Sequence, residues 1–133
     1  MRALEIREQA LGPQHPHTAT SLDNLAGLYD AKGKYEQAEP LYQRALAIRE
    51  QQLGPEHPDT ANSLNNLAEL YYAQGKYEQA EPLLERALAI YEQRLGLLHP
   101  QTQIIRRNYV ALLRMMGRDA EARAIETKHM PPS

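Results

Sequence analysis

The stretch LGPQHPHTATSLDNLAGLY, residues 11–29, recurs 42 positions later as LGPEHPDTANSLNNLAELY, residues 53–71. Over the whole period, residues 12–53 and 54–95 are identical at 31 of 42 positions. A third, weaker copy keeps Gly96, His99 and Gly117 at the same interval. Because self-similarity at a period of about 20 to 50 residues is typical of tandem arrays, the chain is predicted to be a repeat protein.

Each period contains two helical segments. Apolar residues return every three or four positions from Pro16 to about Lys32, and again from Tyr35 to Leu53. That spacing places one apolar stripe on each helix. Histidine-proline pairs suit the helix starts, since proline lacks only an N–H that would be unpaired there. Gly33 and Gly54 follow the two segments and are typical helix stops.

The second helix of each period contains a proline, at Pro40 and Pro82. Each proline removes one backbone hydrogen bond because it has no N–H. We expect a slight bend in these helices, without a break.

The residues Leu22-x2-Leu25-Ala26-x2-Tyr29, followed by Ala38-x3-Tyr42, resemble the tetratricopeptide repeat. The connector LGPxHPxT and the blocks NLA, GKYEQAEPL and RALAI are similar to the 42-residue repeats of kinesin light chain-like proteins. The resemblance implies an all-α fold, a right-handed superhelical solenoid of antiparallel helix pairs. It also implies that the first helices of the pairs, called A, line a concave wall behind which the second helices, called B, are packed.

The register of the repeats predicts five units along the chain. They are the second helix of a truncated preceding repeat at 1–11, repeats at 12–53 and 54–95, a divergent C-terminal capping repeat at 96–128, and a tail at 129–133. The third copy diverges most where a following repeat would dock, which is how terminal caps of such arrays behave.

The resemblance also implies a function: the chain would be a protein–protein interaction module that binds an extended peptide along the concave wall. The helical phase of the A segments predicts the residues of this groove, which are Asn24, Asn62, Asn65, Asn66, Glu69, Tyr72, Arg107, Asn108 and Arg114. Asn24, Asn66 and Asn108 fall at one position of successive repeats, and a carboxamide both donates to and accepts from a peptide backbone. The alternative is that these asparagines bond a neighbouring helix or solvent.

Arginines gather late in the chain: residues 100–133 carry a net charge of +3, whereas residues 1–99 carry -5. Arg106, Arg107, Arg114 and Arg118 suit a clamp for an acidic side chain or a C-terminal carboxylate, because guanidinium pairs such groups in bidentate fashion. The other interpretation is a solvated capping face, since a terminal repeat must be polar outside.

A second function class stays open beside the peptide-binding module. The chain would then be a structural spacer or a self-associating scaffold, natural or engineered, with no peptide ligand of its own. The half-repeat at 1–11 motivates this alternative, because Ala3, Leu4 and Ile6 would be only partly covered there. An uncovered apolar edge favours a homo-oligomer.

No residue pattern in the sequence indicates catalysis, a cofactor or a metal. His15, His57 and His99 lie one repeat apart, and their place before proline favours a connector role; only His15 with His17 is close enough to share an ion. Ser21 and Ser63 have no fixed histidine and aspartate beside them, and no glycine-rich loop is present to hold a phosphate. We predict that the chain is not an enzyme.

The amino-acid composition reduces the number of partner classes that we expect. The net charge of -2 offers no basic field for nucleic acid or an anionic membrane, and the absence of cysteine excludes disulfides and thiolate chemistry. The longest apolar run is far below the roughly 20 residues of a membrane span. We expect a protein or peptide partner, no nucleic acid, no membrane and a cytoplasmic location.

Overall fold

The structure is a computed structural model that describes residues 15–127, and this part of the chain holds six helices and no strand. The helices are α1 (Pro16–Ala31), α2 (Tyr35–Leu53), α3 (Pro58–Ala73), α4 (Tyr77–Leu95), α5 (Pro100–Met115) and α6 (Asp119–Thr127). The main contacts join consecutive helices, from α1 on α2 through to α5 on α6. This order of packing is that of a solenoid, so the all-α solenoid prediction is confirmed.

Helices α1, α3 and α5 are the A helices, and a histidine begins each of them. The Nδ1 atom of His15 accepts a hydrogen bond from the backbone N–H of His17 at 3.1 Å, and His57 and His99 do the same for Asp59 and Gln101 at 3.0 and 3.1 Å. Proline occupies the first helical position each time. The repeated histidines therefore cap helices, which agrees with the connector role.

The A and B helices of each pair are joined by a three-residue turn built on glycine. At the end of α1, Gly33 donates to the carbonyl of Asp30 at 2.9 Å, and Lys34 donates to that of Tyr29 at 2.8 Å. This is a Schellman ending, whose central residue needs a positive φ, and Gly33 has a φ of 74°. Because the same bonds recur at Gly75 and Gly117, all three pairs turn alike.

Alanines let the helices within a pair approach closely. Ala26 on α1 and Ala38 on α2 are completely buried, as are Ala68 on α3 and Ala80 on α4. With only a methyl group between backbones, larger residues such as Tyr42 fill the space beside them. These four alanines therefore lie inside the core where the two helices of each pair meet.

The helices that contain proline are unbroken. Helix α2 runs from Tyr35 to Leu53 through Pro40, and α4 from Tyr77 to Leu95 through Pro82. Only one backbone hydrogen bond is lost at each proline, and packing on both neighbouring helices offsets that loss.

A charged network joins the first two helix pairs. The guanidinium of Arg49 on α2 donates to the carboxylate of Asp23 on α1, to Ser63 Oγ on α3 at 2.6 Å and to Thr20 Oγ1 at 3.3 Å. The side chains of Arg49 and Asp23 are only 9% and 12% exposed. Burial raises the pKa of Asp23, although the neighbouring Arg49 acts to lower it. At the equivalent positions of the next repeat the residues are Asn65 and Tyr91, which are neutral.

The third pair departs from the other two. The described part of α6 has 9 residues, whereas α2 and α4 have 19. On α5, Gln103 and Arg106 take the positions of the fully buried Ala61 and Leu64. Both polar side chains bond the connector that precedes α5, Gln103 to the carbonyl of Leu98 at 2.9 Å and Arg106 to that of Leu97 at 2.8 Å. The unit bounds 12–53, 54–95 and 96–128 stay predictions, and the half-repeat 1–11 and the tail 129–133 lie outside the described residues.

We expect His57→Ala to lower the free energy of unfolding by about 1 kcal/mol, because the N–H of Asp59 then loses its cap acceptor. His57→Asn keeps an acceptor at the same place and should retain most of the stability. Urea unfolding followed by circular dichroism measures both variants. Equal stability of the two variants would contradict a capping role.

We expect Arg49→Tyr alone to destabilise the fold by about 3 kcal/mol, since Asp23 is left buried without its counter-charge. Adding Asp23→Asn recreates the neutral pair found at Asn65 and Tyr91 and should restore most of that loss. The same unfolding measurement on both single variants and the double variant gives the coupling. Independent, additive effects would show that Asp23 and Arg49 do not stabilise each other across α1 and α2.

Candidate functional site

The A helices α1, α3 and α5 carry all nine residues that the sequence predicted for the groove. Five of them are exposed: Asn24, Asn62, Glu69, Arg107 and Arg114. Three are half-buried: Asn66, Tyr72 and Asn108. Asn65 is buried, with 8% of its surface exposed. All of these side chains except Asn65 thus keep substantial surface on the A helices.

Two adjoining cavities gather five of these residues. The smaller, of about 240 Å³, is lined by Ala68, Glu69, Tyr72, Leu84, Asn108 and Ala111. The larger, of about 770 Å³, is lined by Tyr72, Leu98, Gln103, Arg106, Arg107, Val110, Ala111, Arg114, Met115 and Glu126. Because both contain Tyr72 and Ala111, they form one depression across α3 and α5, called here the groove. Asn24, Asn62, Asn65 and Asn66 line neither cavity.

The side-chain amides tie neighbouring A helices together. Asn108 Nδ2 on α5 lies 3.4 Å from both Asn65 Oδ1 and Glu69 Oε1 on α3, and it donates to them. Asn65 Nδ2 also donates to Glu69 Oε1, at 3.3 Å. Asn66 in turn bonds the carboxylate of Asp23 on α1. Asn66 and Asn108 therefore already bond a neighbouring helix, as the structural alternative for these asparagines expected.

Carboxylates surround a tyrosine hydroxyl at the α1 side of the wall. Burial, together with the nearby carboxylates of Asp30, Asp23 and Glu69, raises the pKa of Tyr42 to about 12. The pKa of Asp30 is raised by desolvation, and that of Glu69 is raised by desolvation and by the charge of Asp30. Asp30 and Glu69 are thus close enough to repel each other, and this side of the wall is negative.

The four late arginines have different surroundings. Arg106 is buried, donates to the carbonyl of Leu97 at 2.8 Å and lies 3.8 Å from Glu92. Arg114 pairs with Glu126, and Arg118 donates to Glu81 at 2.6 Å. Arg107 is exposed and lines the larger cavity. These arginines therefore do not form one clamp, and only Arg107 and Arg114 present an exposed charge in the groove.

Sequence reasoning missed the apolar part of the groove. Leu98 and Met115 line the larger cavity and are 73% and 54% exposed. The repeat register contained a signal for both, since their equivalents in the second repeat are Glu56 and Ala73. Large apolar side chains at positions that are polar or small in the other two repeats are the sequence signal for this part of the groove.

The part of the chain that the structure describes has no cluster for a metal ion and no helix for a membrane span. Within residues 15–127 no three histidine, cysteine, aspartate or glutamate side chains are grouped so as to hold a metal ion. The rings of His15 and His17 stack with centroids 5.0 Å apart, and the Nδ1 of His15 is used as a helix cap. None of the helices described is long and apolar enough to cross a membrane.

Two sequence profiles of the tetratricopeptide repeat match the chain, one over residues 1–51 and 31–93 and the other over residues 65–129. The matches cover almost the whole sequence, and the helix pairs have the packing order of a solenoid. The chain therefore belongs to the tetratricopeptide repeat family. Its repeats are of the type seen in kinesin light chain-like proteins, as the following structural neighbours show.

The solved structure of BtubC (BKLC) from P. vanneervenii superposes with a TM-score of 0.85 at 27% identity, over 98% of this chain and 56% of that one. A putative kinesin light chain from Podosopora anserina, with nearly identical TPR-like repeats, superposes with a TM-score of 0.86 at 27% identity, over 99% and 65% of the two chains.

Curated relatives match over one repeat length only. Nephrocystin-3 of Xenopus laevis is 54% identical over 43 residues, which is 32% of this chain and 3% of that protein. Human nephrocystin-3 is 51% identical over the same length. The chain thus spans about 3% of the length of these relatives, and the similarity concerns the repeat unit.

We expect Glu69→Gln to stabilise the protein more at pH 7 than at pH 3, relative to wild type. The folded pKa of Glu69 is raised, so the protonated carboxyl favours the fold and this contribution is lost as the pH rises through the raised value. Glutamine stays neutral and still accepts from Asn65 and Asn108. Thermal unfolding at both pH values measures the difference, with the exposed Glu56→Gln as control. A gain that does not change with pH would contradict the shift.

Proposed function

We propose that this chain is a peptide-binding module and that its ligand lies extended in the groove across α3 and α5. Tetratricopeptide repeats generally mediate protein–protein interaction, so the class of partner follows from the family. The observation that supports this particular surface is the pair of cavities that share Tyr72 and Ala111.

The shape of the groove suits an extended segment better than a compact ligand. The two cavities follow one another, and their floor includes the small or apolar residues Ala68, Leu84, Val110 and Ala111. Tyr72 lies between them, and its ring is braced by Tyr77, with centroids 5.3 Å apart. A rigid aromatic side chain beside apolar floor offers contact area at low entropic cost.

Polar groups at the sides would hold the peptide backbone. Asn108 lines the smaller cavity and is half-buried, so its carboxamide can meet a backbone group of a ligand. Its existing bonds to Asn65 and Glu69 are long, at 3.4 Å, and hold the amide in place across the cavity. A positioned amide contributes to affinity without selecting particular side chains.

Contacts with the ligand would extend from the two cavities toward α1. These further contacts would come from the exposed Asn24 and Asn62, and from Asn66 beside Asp23.

That the chain is not an enzyme and has a cytoplasmic location stays a prediction. The spacer or self-associating array also stays a prediction, because the segment 1–11 on which it depends lies outside the described residues.

A peptide-library selection against the folded protein tests the proposal. We expect ligands to be recovered, and Ala111→Gln to weaken them about tenfold or more by filling the point where the cavities meet, a loss of about 1.4 kcal/mol. Glutamine should be accepted by the helix, since Glu69 occupies the equivalent position of α3. Asn66→Ala with Asn108→Ala should weaken binding at unchanged helicity.

Ala47→Gln is the matched control, because Ala47 is exposed on the B helix α2. Fluorescence anisotropy gives the affinities, and circular dichroism checks the fold. Unaltered affinity for Ala111→Gln, or a selection that yields no ligand, would overturn the proposal.

A further inference from the structure

The concave wall changes charge from one end to the other. Asp30, Tyr72 and Arg114 occupy one repeat position on α1, α3 and α5, and Asp23, Asn65 and Arg107 occupy another. In both rows the residue is acidic on α1, neutral on α3 and basic on α5. The first row makes the wall bipolar along the direction in which an extended ligand would lie, whereas Asp23 and Asn65 of the second row are mostly buried.

At the acidic end, uncompensated charge comes from Asp30 and Glu69. Asp23, in contrast, is held by Arg49. Position 27, three residues before Asp30 on α1, is a glycine, and a Cβ built there would lie 3.8 Å from the hydroxyl of Tyr42. The wall therefore has no side chain at Gly27, where α3 has Glu69 at the equivalent place. A cationic side chain of a ligand can approach both carboxylates across this glycine.

At the basic end, Arg107 is the exposed cation of the larger cavity. Arg114 lies in the same cavity, where Glu126 pairs with it. A carboxylate arriving there would meet Arg107, whereas both terminal nitrogens of Arg114 already donate to Glu126. Guanidinium groups suit a carboxylate because their N–H donors match its two oxygens.

The two ends are separated by two steps between neighbouring A helices. At roughly 8–10 Å for each step, the distance from α1 to α5 is about 16–20 Å. An extended chain advances about 3.3 Å per residue, so the ends are about five to six residues apart. The middle of such a segment would lie over Tyr72 and the apolar floor.

We propose that the concave wall, from α1 across the groove to α5, selects a bipolar extended peptide, with a basic side chain placed at Asp30 and Glu69 and a carboxylate placed at Arg107, about five residues further along. This inference rests on the proposed function and adds the charge pattern of its ligand. A uniformly acidic peptide would be repelled at α1, and a uniformly basic one at α5.

The test uses a synthetic library of capped hexapeptides in which positions 1 and 6 are Lys, Glu or Gln and the four positions between are randomised. We expect peptides with opposite charges at the two ends, in one of the two orders, to bind about three-fold or more tightly than those with Gln at both ends. That factor corresponds to exposed ion pairs, which are individually weak.

Charge reversal of the wall provides the decisive variant. Asp30→Lys with Arg107→Glu should abolish or invert the preferred order of Lys and Glu, whereas Glu36→Lys with Arg123→Glu should leave it unchanged. Glu36 and Arg123 are exposed on the B helices α2 and α6, so this control has the same change in charge away from the wall. Circular dichroism confirms that each variant is folded.

The outcomes separate the two proposals. Peptides that bind, compete with one another and are blocked by Ala111→Gln, but show no preference for opposite charges, would overturn the bipolar ligand and leave the peptide groove standing. A preference that survives the reversal of Asp30 and Arg107 would also overturn it. If no library member binds at all, both the groove and its charge pattern are refuted.

Discussion

The close approach of the two helices in each pair is the constraint on which the rest of this molecule depends. Ala26 meets α2 and Ala68 meets α4 with no exposed surface, and glycine turns return the chain at the distance that this contact requires. Since alanine adds only a methyl group at these buried positions, larger residues such as Tyr42 pack beside them. The pairs then stack one on the next, with α2 against α3 and α4 against α5.

Stacking in this way leaves one arc of each A helix uncovered. The residues on that arc contribute little to the core, so they are free to differ between repeats while the core is kept. At the position of Asp30 the next repeats have Tyr72 and Arg114, although residues 12–53 and 54–95 are otherwise mostly identical. Variation on an invariant scaffold is how a repeat protein acquires a distinct binding surface.

Electrostatic compensation divides the charged residues of the wall into two groups. Asp23, Arg106 and Arg118 are each held by a partner in another helix or in an adjoining turn, and they join neighbouring elements of the solenoid. Asp30 is half-buried on α1 and Arg107 is exposed on α5, at opposite ends of the wall. Residues of the first group hold elements of the solenoid together, and those of the second carry the charges that the proposed peptide would meet.

Local chemistry was enough to predict where the helices lie. Histidine followed by proline starts α1, α3 and α5, glycine with a positive φ ends each A helix, and the 42-residue period shows that the pattern is one unit repeated. These signals act within a few residues, so they can be read without knowing the fold. The nine proposed groove residues were placed on the A helices by the same helical phase.

Whether an individual side chain is buried or exposed depends on the neighbouring helices, which the sequence does not show. Adjacent residues on a helix differ by about 100° in direction, so Arg106 is buried beside Glu92 while Arg107 is exposed. Asn65 is buried and Asn66 is not for the same reason. The packing of one helix pair on the next decides which arc of a helix is covered. The residues that cover it are about 40 positions away in the sequence. A one-dimensional pattern cannot contain that information, because the covering atoms belong to other repeats.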